Sequence, residues 1–157
     1  MTRQILTIFM AGLFSFFASC KGQDKKQQQT LVTEKFKVGQ VWKYANRNGE
    51  DSSTLTILKI EKYDKGDTII HIRVDAVKIY SPQSATGYTN FIGHLPFSKK
   101  AISKSVTKLV GQNDNLPDFS EGYNRWKEAW DSGKGGYWTV DLKEAIDGVD
   151  KAMQPKK

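Results

Sequence analysis

The sequence predicts an α+β domain, with an antiparallel sheet (a three-stranded meander plus a later fourth strand) and about three helices packed on one face. Three observations predict it. Residues 38–80 carry strand-like alternation broken at two turn signals. Residues 98–131 and 141–153 carry apolar residues at helical spacing behind good capping residues. Between those helical stretches, Gly135-Gly136 releases a short run, Tyr137 to Val140, with a strand's composition. Strands first and helices later imply segregated layers rather than βαβ units.

The first strand covers residues 38–47, with Trp42 and Tyr44 on one alternating face. Asn48-Gly49 is a strong hairpin signal, since a type I′ turn needs positive φ at both central positions. The second strand covers 54–63. Its apolar phase changes from Leu55/Ile57 to Leu58/Ile60, which predicts a bulge or burial on both faces. Asp64-Lys65-Gly66-Asp67 reads as a turn, and the third strand covers 68–80. Ile70, Ile72, Val74 and Ala76 share one face before the phase shifts again at Val77/Ile79. Pro82 and Gly87 mark 81–93 as a long loop.

Ile102, Val106, Leu109 and Val110 predict a helix over 98–110, closed by Gly111. A loop over 112–117 leads to a second helix over 119–131. Asp118-x-x-Glu121 frames its start as a capping box, Tyr123, Trp126 and Trp130 form its stripe, and Gly133 lies past its end. Asp141-x-x-Glu144 opens the last helix, with Ile146, Val149 and Met153 on one side and Pro155-Lys156-Lys157 after it.

Ahead of this body lies a different kind of segment. Arg3 precedes an apolar run of 13 residues, Ile5 to Phe17, too short to span a bilayer comfortably. Phe17-Ala18-Ser19-Cys20 follows, with small residues directly before the cysteine. This resembles the lipobox of bacterial lipoproteins, with Phe17 in place of the more usual Leu. The resemblance implies a signal peptide over 1–19, cleavage before Cys20, and lipidation of Cys20 by a diacylglycerol thioether and usually a further amide-linked acyl chain. Two or more chains anchor a protein stably. Residues 20–37 then read as the lipidated cysteine and a flexible polar tether. Lys21 is not the aspartate that commonly retains lipoproteins at an inner membrane. By that analogy the expected location is the outer membrane, facing the periplasm, with the membrane reached through Cys20.

The mature chain of 138 residues suits one domain, 38–157, large enough to bury a core without staples. Cys20 is the only cysteine, so no intramolecular disulfide and no thiol-based site is available. The net charge of +7 is spread out: residues 38–157 carry 18 Lys and Arg against 15 Asp and Glu. No concentrated basic face results, and no nucleic-acid partner is expected.

Three groups of residues in the body are candidates for function. His94, Ser98, Lys99 and Lys100 gather a helix start, two lysines and an imidazole, a set suited to a small anion. The plainer reading is that both lysines point into water. His71, Arg73 and Asp75 alternate with the apolar face of the third strand. Such a row can orient a polar ligand or support a general base, and its plainer reading is a solvent face. Tyr88 and Phe91 lie in the long loop as candidate recognition groups, while the other aromatics read as core. His71 and His94 lack a fixed ligand spacing, so neither a metal nor any other cofactor is expected. Arg47 and Glu50 flank the first turn as a cross-strand pair. No phosphate-binding loop, nucleophile elbow or dinucleotide fingerprint is present.

The body also resembles a group of small bacterial proteins with no assigned activity. The resemblance rests on Gly39-Gln40-Val41-Trp42-x-Tyr44, Ser53-Thr54-Leu55-x-Ile57, His71-Ile72, His94-Leu95-Pro96-Phe97-Ser98 and Gly122-Tyr123-x-x-Trp126. It implies no mechanism and no catalytic residue. The expected role is a lipid-anchored, non-enzymatic binding or interaction protein of the cell envelope, with an unidentified envelope protein or a small anionic ligand as partner. A small envelope hydrolase or ligand sensor using His71 or His94 is one alternative. A periplasmic immunity protein against a delivered toxin is the other.

Overall fold

The computed structural model describes residues 35–63 and 68–155. The signal peptide, Cys20, the tether up to residue 34, the turn at 64–67 and the last two lysines lie outside the described residues. Phe36, placed in the tether by sequence, is buried and packs edge-on against Trp42 at 5.6 Å. The compact unit therefore starts at Phe36 rather than at Val38.

The fold is α+β. Five strands, β1 (Gln40–Tyr44), β2 (Thr54–Lys62), β3 (Thr68–Tyr80), β4 (Tyr88–Ser98) and β5 (Val106–Gln112), form one antiparallel sheet in the order β4-β3-β2-β1-β5. The helices are α1 (Lys99–Ser105), α2 (Ser120–Asp131) and α3 (Leu142–Met153). Ile70, Ile72 and Val74 of β3 join Leu55, Ile57, Phe97, Ile102, Leu142 and Ile146 in one core, so α1 and α3 cover that face. By strand alternation His71 points to the other face. There it meets the rings of Tyr123 and Trp126, so α2 lies on the second face rather than with the other two helices.

Two stretches differ from the sequence expectation. Residues 88–98 are a strand, not the tail of a long loop; only 81–87 turn. Pro96 is tolerated because β4 is an edge strand. Its carbonyl accepts from Trp138 N at 2.9 Å, and Trp138 O accepts from Ser98 N at 2.9 Å. The expected strand over 137–140 is reduced to this single parallel bridge on β4. The expected helix over 98–110 ends at Ser105, and residues from Val106 onward pair with β1 through Tyr44, Lys43 and Trp42. Ser105 Oγ donates to Ala101 O and accepts from Leu142 N, tying the end of α1 to the start of α3.

The turn signals hold only in part. Gly49 has φ +81°, but Asn48 does not have positive φ, and residues 45–53 form a longer loop than a two-residue hairpin. Arg47 and Glu50 clamp that loop as a forked ion pair, with Arg47 also donating to Lys78 O at 2.8 Å. Asp118 does not cap α2; its carboxylate accepts from Ser120 N instead. Asp141 does cap α3, accepting from Glu144 N at 2.9 Å.

Candidate functional site

The site lies on the second face of the sheet, where two bulges bring polar residues together. Leu55 and Ile57 of β2 face the core opposite Val74 and Ile72. The register then shifts between Ile57 and Lys59. Ile60 takes the core side, and Lys59 and Glu61 turn to the side of His71. On β4, Gly93 and His94 lie in a second register shift opposite Arg73, between Ile92 and Leu95. Leu95 faces the core, so His94 faces His71.

Glu61, His71 and His94 form a chain. His71 Nε2 is 2.9 Å from Glu61 Oε2, and His71 Nδ1 is 2.8 Å from His94 Nε2. Glu61 also accepts from Tyr123 Oη at 2.9 Å, Lys59 Nζ at 3.0 Å and Tyr63 Oη at 3.3 Å. Lys59 Nζ donates to Tyr123 Oη at 2.7 Å as well. Burial pushes the Glu61 carboxyl up, but the bonds from Lys59 and Tyr123 outweigh it and hold Glu61 below its ordinary value. A carboxylate only accepts, so His71 Nε2 carries the proton of that bond and His71 Nδ1 is left an acceptor. His94 Nε2 must then donate to it. His94 Nδ1 is left with a lone pair and no hydrogen-bond partner among the described residues.

Both imidazoles stay neutral. His71 is fully buried, and burial lowers its pKa against the pull of Glu61. Burial, then the repulsion that two adjacent protonated rings would suffer, pushes His94 down to about 4. Trp126 meets the His71 ring edge-on at 4.6 Å, Tyr123 likewise at 5.4 Å, and Phe119 lies parallel to His94 at 6.4 Å. Gly122 lets α2 approach: a Cβ there would lie 2.8 Å from His94 Cβ.

His94 lines a cleft of about 370 Å³ between β4 and the start of α2. Phe91, Ile92 and Phe119 give it apolar walls, and Asp118, Glu121 and Arg125 line its charged rim. Among the described residues no hydroxyl or amine is hydrogen-bonded to His94 as a nucleophile would be. Among the described residues no group of three His, Cys, Asp or Glu is placed to hold a metal ion. No described helix is long and apolar enough to cross a membrane.

The structure redistributes the residues singled out by sequence. His71 is not on a solvent face; it is buried under α2, and it meets His94. Arg73 and Asp75 pair with each other at 2.7 Å, further along β3. His94 is separated from Ser98, Lys99 and Lys100: four strand residues carry about 13 Å of rise. Ser98 is the N-cap of α1, accepting from Ala101 N at 3.2 Å. Tyr88 and Phe91 are on β4 rather than in a loop, each 42% exposed with a cation over its ring, Lys78 at 4.3 Å and Arg73 at 4.2 Å. Phe91 belongs to the cleft and Tyr88 does not. Cys20 is outside the described residues.

Sequence reasoning missed Glu61, Phe119 and Gly122, and took Tyr123 and Trp126 for core. The signal for Glu61 was the phase change on the second strand, which moves Lys59 and Glu61 to the histidine side. Comparison with protein-family models, with curated proteins and with solved structures finds no match to this chain.

Proposed function

We propose that this chain is a lipid-anchored binding protein of the bacterial cell envelope, tethered through Cys20, whose folded domain holds a small molecule in the His94 cleft. One observation carries the binding reading. A part-buried chain of hydrogen bonds, Glu61–His71–His94, ends in an acceptor nitrogen that no group among the described residues satisfies, beside a cleft of small-ligand size. Holding one tautomer, with His71 fully buried and His94 open only to the cleft, is what a recognition acceptor needs.

A binding role fits this geometry better than hydrolysis. A His94 pKa near 4 makes a weak base at neutral pH, and among the described residues no nucleophile is hydrogen-bonded to it. The anion-binding reading loses its basis, because His94 offers a lone pair and the lysines lie elsewhere. The test is a fragment screen by NMR on the full chain in detergent micelles. Hits that shift Gly122 and the His94 ring, and that His94→Phe abolishes, support the proposal. Hits confined to other surfaces overturn it.

A further inference from the structure

We infer that the cleft selects small organic cations, amines or amidines carried on an apolar or aromatic body; this rests on the binding reading above. Three features of the cleft point the same way. First, the group at its end is an acceptor. Glu61 fixes the proton positions along the chain so that His94 Nδ1 presents a lone pair, which an N–H donor satisfies and a carboxylate or phosphate does not.

Second, the charge left over in the cleft is negative. Arg125 is paired with Glu121 at 2.7 Å. Arg73, which flanks Phe91, is paired with Asp75 at 2.7 Å. Asp118 has no ionic partner among the described residues; its one bond is from Ser120 N at 2.8 Å. Ser120, chiefly through that backbone bond and then through its side chain, holds the carboxyl below its usual range, so Asp118 is ionised at neutral pH.

Third, the walls suit a cation with an apolar body. Phe91 and Phe119 line the cleft, and Phe91 carries the Arg73 guanidinium at 4.2 Å, which shows that a cation can sit against that ring. An acceptor at His94, a carboxylate at the rim and phenylalanines along the walls define a protonated amine on a hydrophobic body. An anion of the same shape would meet a lone pair and Asp118, while the cations described at the cleft, Arg125 and Arg73, are already paired.

The experiment is an NMR titration of the full chain, in detergent micelles at pH 7, with three probes of one shape: benzylamine, benzyl alcohol and benzoate. The expected result is saturable shifts at His94, Gly122 and Phe119 with benzylamine, at least about fivefold tighter than with either other probe. Asp118→Asn should weaken benzylamine about three- to fivefold and leave benzyl alcohol unchanged. If benzyl alcohol or benzoate binds at His94 as tightly as benzylamine, the cation preference is wrong and the binding site stands. If none of the probes moves His94 up to saturating solubility, both the preference and the site are overturned.

Discussion

His94 Nε2 lies 2.8 Å from His71 Nδ1, and the direction of that bond is decided by Glu61 on the far side of His71. A carboxylate that only accepts fixes one ring, and that ring fixes the next. The expected observation is that both histidines are Nε2–H tautomers at pH 7, read from long-range ¹⁵N–¹H correlations. Glu61→Gln replaces an obligate acceptor with a group that can also donate, so a mixture of tautomers should follow. The same change should cost about 1–3 kcal/mol, because Lys59 and Tyr123 lose their charged acceptor. A His94 that carries its proton on Nδ1 in the wild-type chain would remove the acceptor on which the binding reading depends.

Acid should destabilise the domain in a definite window. The unfolded chain takes up protons at its histidines below about pH 6.5. Folded His94 resists until about pH 4, and folded His71 is shifted in the same direction, both chiefly through burial. The unfolded state therefore binds more protons as pH falls through this range, and stability drops. For His94 alone the loss reaches at most roughly 3 kcal/mol by pH 4. Glu61, lowered in the fold, adds a loss below its ordinary value, since it too resists protonation. Thermal melts at pH 7, 6, 5 and 4 should fall progressively, and His94→Phe should flatten the slope. A wild-type profile flat from pH 7 to 4 would contradict the burial of His71 and the partial burial of His94.

The elements that sequence located were those where local chemistry and packing agree. The third strand keeps its expected limits, and its phase shift falls at Ala76, the one described non-glycine residue with positive φ (55°). Sequence failed where a pattern suited two periods. Ile102, Val106, Leu109 and Val110 fit a helix by spacing, but Val106, Thr107 and Val110 are β-branched and β1 offers an open edge for them to pair with. Leu109 and Val110 remain 45% and 46% exposed, so their helical spacing recorded no buried face. The site was half legible. His71 and His94 were chosen by residue type, but the two bulges that aim Glu61 and His94 at His71 are long-range pairing events. The covering helix could not be placed on the second face from its own stripe, because none of its residues is fully buried.

Two helical glycines should respond oppositely to alanine. Gly148 lies within α3, and a Cβ there would meet Trp138 at an ordinary 3.6 Å. Gly148→Ala should stabilise by about 0.5–1 kcal/mol through helix propensity. Gly122 lies in α2, and a Cβ there would sit 2.8 Å from His94 Cβ, closer than any real contact. The helix or the histidine must move, and overpacking should cost about 1–3 kcal/mol despite the better propensity. Urea titrations of both variants decide this. Equal stabilisation of the two would show that α2 does not press on His94.

Phe36 marks where the folded body begins. It is 4% exposed and packs against Trp42, although sequence assigns it to the tether. Phe36→Ala should cost about 3 kcal/mol in chemical denaturation, whereas Lys37→Ala, beside it and exposed, should fall within about 0.5 kcal/mol of wild type. The proposed anchor at Cys20 lies 16 residues earlier in the chain. Cys20→Ala should therefore abolish metabolic labelling by an alkynyl fatty acid while leaving the denaturation midpoint of the body unchanged. A wild-type chain that takes up no label and keeps Met1 would remove the lipoprotein proposal, and the Phe36 result would be untouched by it. A large loss of stability in Cys20→Ala would instead mean that the folded unit reaches back beyond Phe36.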